Sequence, residues 1–253
     1  MGKIVAGNWK MNGSAALTDD LLSRLRAGIP ARFFQSGGAC IVCPPFPYLP
    51  QAQRLLAGSS IALGAQDLHP GAAGAFTGEV SAPMLQDFGV SWCLVGHSER
   101  RHILGEADSF IRRKMEAVLE FGLRPILCVG ETLSQRESGR QTQIIDQQLI
   151  AALVGLPESA LGGLAVAYEP VWAIGTGHTA TPGQVGEMHA HVRGWLRGHI
   201  SQGFGQKVPL LYGGSVTPAN AHDLLGQSDV DGVLVGGASL KADQFLGILS
   251  PAS

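Results

Sequence analysis

Three features of this sequence could act together chemically: a carboxylate closing an apolar run, a histidine beside a glycine, and two glycine pairs. Glu169 ends the run Leu164–Tyr168 and precedes Pro170, which biases it away from helical geometry. Val171, Trp172, Ala173 and Ile174 then lead into the hinge-like Gly175-Thr176-Gly177, so segment 170–177 could close over the acid. On its own the stretch reads equally as a strand end with a solvated glutamate. His97 follows Gly96 and opens the helical stretch Ser98-Glu99-Arg100-Arg101. A helix N-terminus disfavours an imidazolium, which would leave a neutral ring able to donate toward a carbonyl oxygen. A lone histidine is nevertheless more often structural than catalytic.

The pairs Gly213-Gly214 and Gly236-Gly237 each precede an expected helix start, and Ser215 follows the first. Glycine lets a backbone approach a ligand, and helix N-termini offer N–H donors to anions. Either pair alone is a tight turn; both together, with the Ser215 hydroxyl, favour a phosphate site. Of the five lysines (Lys3, Lys10, Lys114, Lys207 and Lys241), Lys10 alone falls just past a strand end, where it could supply a mobile cation.

Something must bring these groups to one place. Eight short apolar runs recur: Ile4–Gly7, Cys40–Cys43, Ile61–Ala65, Trp92–Val95, Pro125–Val129, Leu164–Tyr168, Val208–Tyr212 and Gly232–Val235. Their continuity suits strands buried on both faces. Helical patterns lie between them: Leu17–Leu25 behind Ser14, Ala107–Phe121 with Asp108 as cap, Ile144–Leu153, Gln184–Ile200 behind Thr181-Pro182, Ala219–Leu225 behind Thr217-Pro218, and Leu240–Leu249. Eightfold strand–helix alternation in 253 residues predicts an α/β fold, a single (β/α)8 barrel of eight parallel strands occupying 1–253 as one catalytic domain. An open doubly wound sheet is the competitor; the lack of a G-x-G-x-x-G after the first strand counts against it. In such a barrel the chemistry sits at the C-terminal strand ends. Asn8-Trp9-Lys10, Gly96-His97, Glu169 and both glycine pairs all fall there.

Composition narrows the function classes. Charged residues are 15% of the chain, below the usual ~25%, as a largely buried parallel sheet requires. The net charge of −2, without runs of one sign, indicates neither a nucleic-acid nor a polybasic membrane surface. Cys40, Cys43, Cys93 and Cys128 lie in apolar runs and read as buried thiols of a cytoplasmic protein. The C-x-x-C at 40–43 falls within a strand, unlike a redox pair, which opens a helix. The N-terminus lacks the apolar segment of a signal peptide, and no apolar stretch is long enough to span a bilayer. Glu187, His189 and His191 lie close together, but only 187 and 191 share a helix face; a solvated face is expected there rather than a metal site.

Seven segments together resemble the triosephosphate isomerase family over nearly the whole chain: G-N-W-K-M-N-G (7–13), G-A-F-T-G-E-V-S (74–81), G-H-S-E-R-R (96–101), C-V-G-E (128–131), Y-E-P-V-W-A-I-G-T-G (168–177), Y-G-G-S-V (212–216) and V-G-G-A-S-L (235–240). A glutamate base facing a neutral histidine beneath a closing loop is that family's own known arrangement. The resemblance implies cofactor-free interconversion of dihydroxyacetone phosphate and D-glyceraldehyde 3-phosphate through an enediolate, in glycolysis and gluconeogenesis. It assigns Glu169 as base and His97 as carbonyl polariser, helped by Asn8 and Lys10. It gives phosphate binding to Gly175, Ser215, Gly236 and Gly237, orientation of Lys10 to Glu99, and packing beneath the site to Cys128. Pro170, Val171, Trp172, Ala173, Ile174, Gly175, Thr176 and Gly177 would form the lid. It further implies a homodimer, with segment 67–80 interdigitating and Thr77 reaching the partner's site. The residues alone support only a long glycine-rich loop there.

After Gly177 the family pattern is Lys-Thr-Ala, whereas this chain has His178-Thr179-Ala180. That departure bears on lid motion, not on reaction class. Two alternatives stay open on sequence: another phosphosugar enzyme, such as a Schiff-base aldolase, which needs a lysine on an inner strand, and a phosphate-binding barrel without turnover.

Overall fold

A computed structural model of the protein describes residues 2–175 and 179–252. Its strands are β1 (Ile4–Asn8), β2 (Ala39–Cys43), β3 (Ala62–Ala65), β4 (Trp92–Val95), β5 (Arg124–Val129), β6 (Ala165–Tyr168), β7 (Leu210–Tyr212) and β8 (Gly232–Val235). All pair in parallel and in chain order, and β8 returns to β1, so the sheet closes into a barrel with no free edge. Helices follow the strands and pack outside, giving the expected (β/α)8 architecture in place of an open sheet.

The period of two along each strand divides the core. Ile4 and Ala6, Ile41 and Cys43, Trp92 and Leu94, Ile126 and Cys128, Ala165 and Ala167, Leu211, and Leu234 fill the barrel interior. The alternate positions, such as Val5, Val42, Leu127 and Val166, face the helices and join their buried stripes in a larger outer cluster. Each fully buried Leu, Ile, Val or Phe contributes about 1.5–3 kcal/mol.

The element ends differ from expectation in instructive ways. β1 runs one residue further, because Asn8 stays in register with Cys43. β7 begins at Leu210, after Pro209, which has no N–H to give to a ladder. Ser14 and Thr181 cap their helices as expected; Thr181 and Gln184 form a reciprocal capping box. Asp108 is not a cap. Ala107 holds that position, and Asp108 pairs instead with Arg101. The helix expected over 219–225 starts only at Ala221, since the Asn220 side chain reaches back to accept from the Thr217 N–H at 2.8 Å. The stretch 240–249 is interrupted: Gly237–Leu240 is one 3₁₀ turn, Lys241 is extended, and an α-helix runs over Ala242–Leu249. On the face shared by 187 and 191, Glu187 is exposed and the partly exposed His191 pairs with Asp146 at 2.7 Å; His189, off that face, is buried with Nδ1 2.8 Å from the Asp229 carbonyl. All four cysteines are free and buried, and burial pushes the Cys43 thiol up to about 12. Among the described residues no helix is long and apolar enough to cross a membrane.

Candidate active site

Strand parity carries most of the site to the barrel mouth. Continuing Ala165, Ala167 by two brings Glu169 to the inward face, and continuing Ile4, Ala6 brings Asn8 there. By the same step Leu211 and Leu234 lead to Gly213 and Gly236. Glu169 is 1% exposed. Its backbone N–H donates to the Val129 carbonyl at 2.7 Å, so β5 fixes the height at which the carboxylate leaves β6. Cys128 lies inside β5 beneath it; burial, and then the Glu169 charge, push that thiol well up.

His97 has the wrong parity to face inward. Gly96 redirects it by taking φ +73°, a conformation open to glycine. The turn makes His97 the N-cap of the helix Ser98–His102, and its Nδ1 accepts from the Glu99 backbone N–H at 3.2 Å. An accepting Nδ1 leaves the ring proton on Nε2. That atom points at Glu169 Oε1, 3.1 Å away. The pair lacks hydrogen-bond alignment, and Oε1 has no hydrogen-bond partner among the described residues. Oε2, by contrast, accepts from the Ser98 backbone N–H at 2.9 Å. The carboxylate is thus pinned by one oxygen and free at the other.

Lys10 adopts φ +53°, an uncommon backbone state for a residue with a Cβ, costing of order 1–3 kcal/mol. Two side chains hold it: Asn8 Oδ1 accepts from the Lys10 N–H at 3.0 Å, and Gln66 Nε2 donates to the Lys10 carbonyl at 2.8 Å. The Lys10 Nζ is 2.6 Å from Glu99 Oε1, while Glu99 Oε2 is 3.5 Å from His97 Nδ1. Glu99 therefore holds Lys10 through one oxygen, while its other oxygen only neighbours the accepting Nδ1.

One cavity of about 310 Å³ joins these groups. Asn8, Lys10, His97 and Glu169 line it together with Gly175, Gly213 to Thr217 and Gly236 to Ala238. The glycine corners serve different ends. A Cβ at Gly213 would lie 2.8 Å from Glu169 Cγ, and one at Gly214 would lie 2.1 Å from the Tyr212 hydroxyl. Those two make room for neighbouring side chains. At Gly236 the nearest atom would be Lys10 Cε at 3.5 Å, and at Gly237 nothing lies within 4 Å, so this corner is open to a ligand. It also begins the 3₁₀ turn Gly237–Leu240, whose first N–H groups lack intrahelical partners. Gly213-Gly214, by contrast, has no helix immediately after it.

Of the loop over the cavity, Pro170 to Gly175 are described, with Val171–Ala173 as a 3₁₀ turn and Gly175 at φ +69°. Thr176, Gly177 and His178 lie outside the described residues. Thr77 is exposed on the long loop after β3 and is not among the residues lining this cavity.

Two residues that shape the site were not singled out from the sequence. Gln66 follows β3 directly, and Glu131 follows β5 within the C-V-G-E segment. Glu131 is fully buried, and its Oε1 accepts from the Tyr168 hydroxyl at 3.0 Å, Trp172 Nε1 at 2.9 Å and Arg136 at 3.0 Å. Both are polar residues within two positions of a strand's C-terminal end, the same signal that marks Lys10 and Glu169.

The family model described as triosephosphate isomerase matches residues 3–252. The triosephosphate isomerase of Ralstonia nicotianae is 50% identical over 246 residues, 97% of each chain. That of Dechloromonas aromatica is 49% identical over 251 residues, 99% of each chain. That of Cupriavidus pinatubonensis is 51% identical over 246 residues, 97% of this chain and 98% of its own. With the family model and these relatives covering nearly all of its length, the chain belongs to the triosephosphate isomerase family.

Proposed function

We propose that this isomerase interconverts dihydroxyacetone phosphate and D-glyceraldehyde 3-phosphate with its own side chains and no cofactor. Glu169 takes a proton from the carbon beside the carbonyl. The electron pair of that C–H bond becomes the C=C bond of an enediolate, and negative charge moves onto the former carbonyl oxygen. His97 Nε2–H, with Asn8 and Lys10, stabilises that oxygen, and the imidazole passes a proton between the two oxygens. Glu169 then returns its proton to the neighbouring carbon. The phosphate rests on the N–H groups of Gly175, Ser215, Gly236 and Gly237, with Lys10 as cation. Glu99 orients Lys10, Cys128 packs below, and segment 170–177 closes to exclude water.

The observation that carries this reading is Glu169 Oε1: buried, without a hydrogen-bond partner among the described residues, and 3.1 Å from a ring nitrogen that holds a proton. Glu131 and Glu106 also keep one buried oxygen unbonded, but only Glu169 presents its oxygen to the cavity, beside His97, where it can reach a substrate proton. The aldolase alternative lacks its nucleophile at β6, where the inward rim position is Glu169. The enzyme works as a cytoplasmic homodimer in glycolysis and gluconeogenesis, in contact with neither nucleic acid nor membrane, with Thr77 extending toward the partner's site. Exposed Phe76, beside Thr77, supports that contact.

The test is a coupled assay, run in both directions on chelator-treated protein. Turnover without added metal is expected. Turnover of neither triose phosphate, or turnover only with added metal, would overturn the reading. Sedimentation of the wild type against a Thr77→Glu variant tests the dimer; an unchanged monomer mass for both would refute it.

A further inference from the structure

Where the cavity holds phosphate, most of the donors proposed above are backbone N–H groups. Gln244 lies in the first turn of the helix Ala242–Leu249 and lines the cavity beside Gly237, Ala238 and Leu240. Its helix buries Ala242, Phe245, Ile248 and Leu249 against the barrel, leaving Gln244 half-buried on the side that turns to the cavity mouth. Its amide makes no hydrogen bond among the described residues. Two other long polar side chains of the lining are engaged: Lys10 with Glu99, and Asn12 Nδ2 with the Trp9 carbonyl at 2.8 Å. A half-buried amide that reaches the solvent of the cavity and has no protein partner can donate to an anion bound there without breaking a bond within the chain.

We infer that Gln244 is a specificity-determining residue of this isomerase, donating its side-chain amide to the phosphate group of the substrate. The inference rests on the function proposed above and extends it from backbone donors to a side chain. Being neutral, the amide adds a hydrogen bond without a second cation. That keeps the phosphate from being held too tightly to leave, and it leaves the chemical end untouched. The effect is therefore one of uniform binding, in KM and in product release, and not of transition-state stabilisation.

Three variants test this. Gln244→Ala removes the donor, Gln244→Glu replaces it with an anion, and Gln244→Asn keeps the amide on a shorter stem. KM for glyceraldehyde 3-phosphate and the inhibition constant of inorganic phosphate should rise together, by about threefold to tenfold for Ala and by more than tenfold for Glu, with kcat within about twofold of wild type. Asn should fall between wild type and Ala. The slow isomerisation of glyceraldehyde itself, which carries no phosphate, should be equal in all four proteins. A variant that fails to fold would lose both activities, and the Asn protein, changed by one methylene, then decides the question. Unchanged KM and phosphate inhibition, or equal losses with and without phosphate on the substrate, would overturn the inference. Wild-type turnover in the same assay reports separately on the proposed function.

Discussion

Trp172 donates its indole Nε1–H to Glu131 Oε1 at 2.9 Å, tying the start of the cavity loop to a fully buried carboxylate behind it. The same oxygen accepts from Tyr168 in β6, and Arg136 both bonds that oxygen and lies over the Trp172 ring at 5.3 Å. The Val171 N–H adds a bond to the Glu131 carbonyl at 3.1 Å. The loop therefore leaves β6 from an anchored end. Removing one donor and removing the shared acceptor should have different consequences. Trp172→Phe keeps an aromatic ring and loses one hydrogen bond, costing about 1 kcal/mol. Glu131→Ala leaves Arg136 and the Tyr168 hydroxyl without their partner and should cost about 3 kcal/mol or more. Urea unfolding of both variants checks the ordering; equal losses would mean that the carboxylate is not the common anchor.

Glu169→Asp draws the carboxylate back by about one methylene from a position set by the Ser98 N–H on one oxygen and by β5 below. Misplacement of roughly 1 Å can cost ~10²-fold, so kcat should fall by that order or more while KM changes little. Steady-state kinetics check it, and near-wild-type kcat would remove Glu169 from the role of base.

His97→Gln keeps a donor near the cavity but gives up the ring whose Nδ1 is locked by the Glu99 N–H. A lost donor to a developing oxyanion costs of order 10²–10³ in rate. The fall should appear in kcat, with binding of a phosphate-bearing inhibitor retained. Lost binding at normal kcat would make His97 a ligand-holding residue instead.

His189 gives a prediction about pH. Burial pulls its ring down from 6.5 to about 4, so the native state resists the proton that the unfolded chain accepts. This contribution is therefore complete above pH 6.5 and is lost as pH falls from 6.5 toward 4, about 3 kcal/mol in all. Asp67 acts the other way. Burial lifts its carboxyl to about 6, so the native state gains relative stability as pH falls through 6 toward the ordinary carboxylate range. The whole-protein slope mixes the two, and only a difference isolates the histidine. Between pH 7 and 4.5, His189→Gln should lose about 2 kcal/mol less stability in urea than the wild type. Parallel curves would show that the buried ring does not govern acid sensitivity.

How far the sequence could be read depends on which forces are local. Continuous apolar runs located the strands to within a residue or two, because burial on both faces of a parallel sheet leaves no room for polar positions. The rim residues came from strand order, and Thr181-Pro182 marked a helix start through capping chemistry that is local. The failures were non-local. Asn220 delays its helix by a side chain reaching back to Thr217. Asp108 is drawn from capping by Arg101 on a neighbouring segment. His189 lies on the buried stripe of Val185, Met188, Val192 and Leu196, but the Asp229 carbonyl that its ring meets comes from 40 residues away. The engagement of Gln66 with the strained Lys10 likewise depends on two strand ends meeting in space.

The glycine corners give the most discriminating prediction, because the sequence treats them alike and the structure does not. A methyl at Gly213 would meet Glu169 Cγ at 2.8 Å, while one at Gly237 would find no protein atom within 4 Å. Neither position has the positive φ that would strain alanine on its own. Gly213→Ala must therefore move the carboxylate and should lower kcat by about 10²-fold. Gly237→Ala should leave kcat and thermal stability near wild type, since it clashes with nothing in the chain. If the cavity beside it holds the phosphate, the new methyl occupies ligand space, and KM should rise by about tenfold, equivalent to ~1.4 kcal/mol of binding. The two alanines thus separate the end of the cavity beside Glu169 from the end beside Gly237 in one pair of kinetic measurements. Interchanged effects, with kcat lost at 237 and KM raised at 213, would require the substrate to lie the other way round.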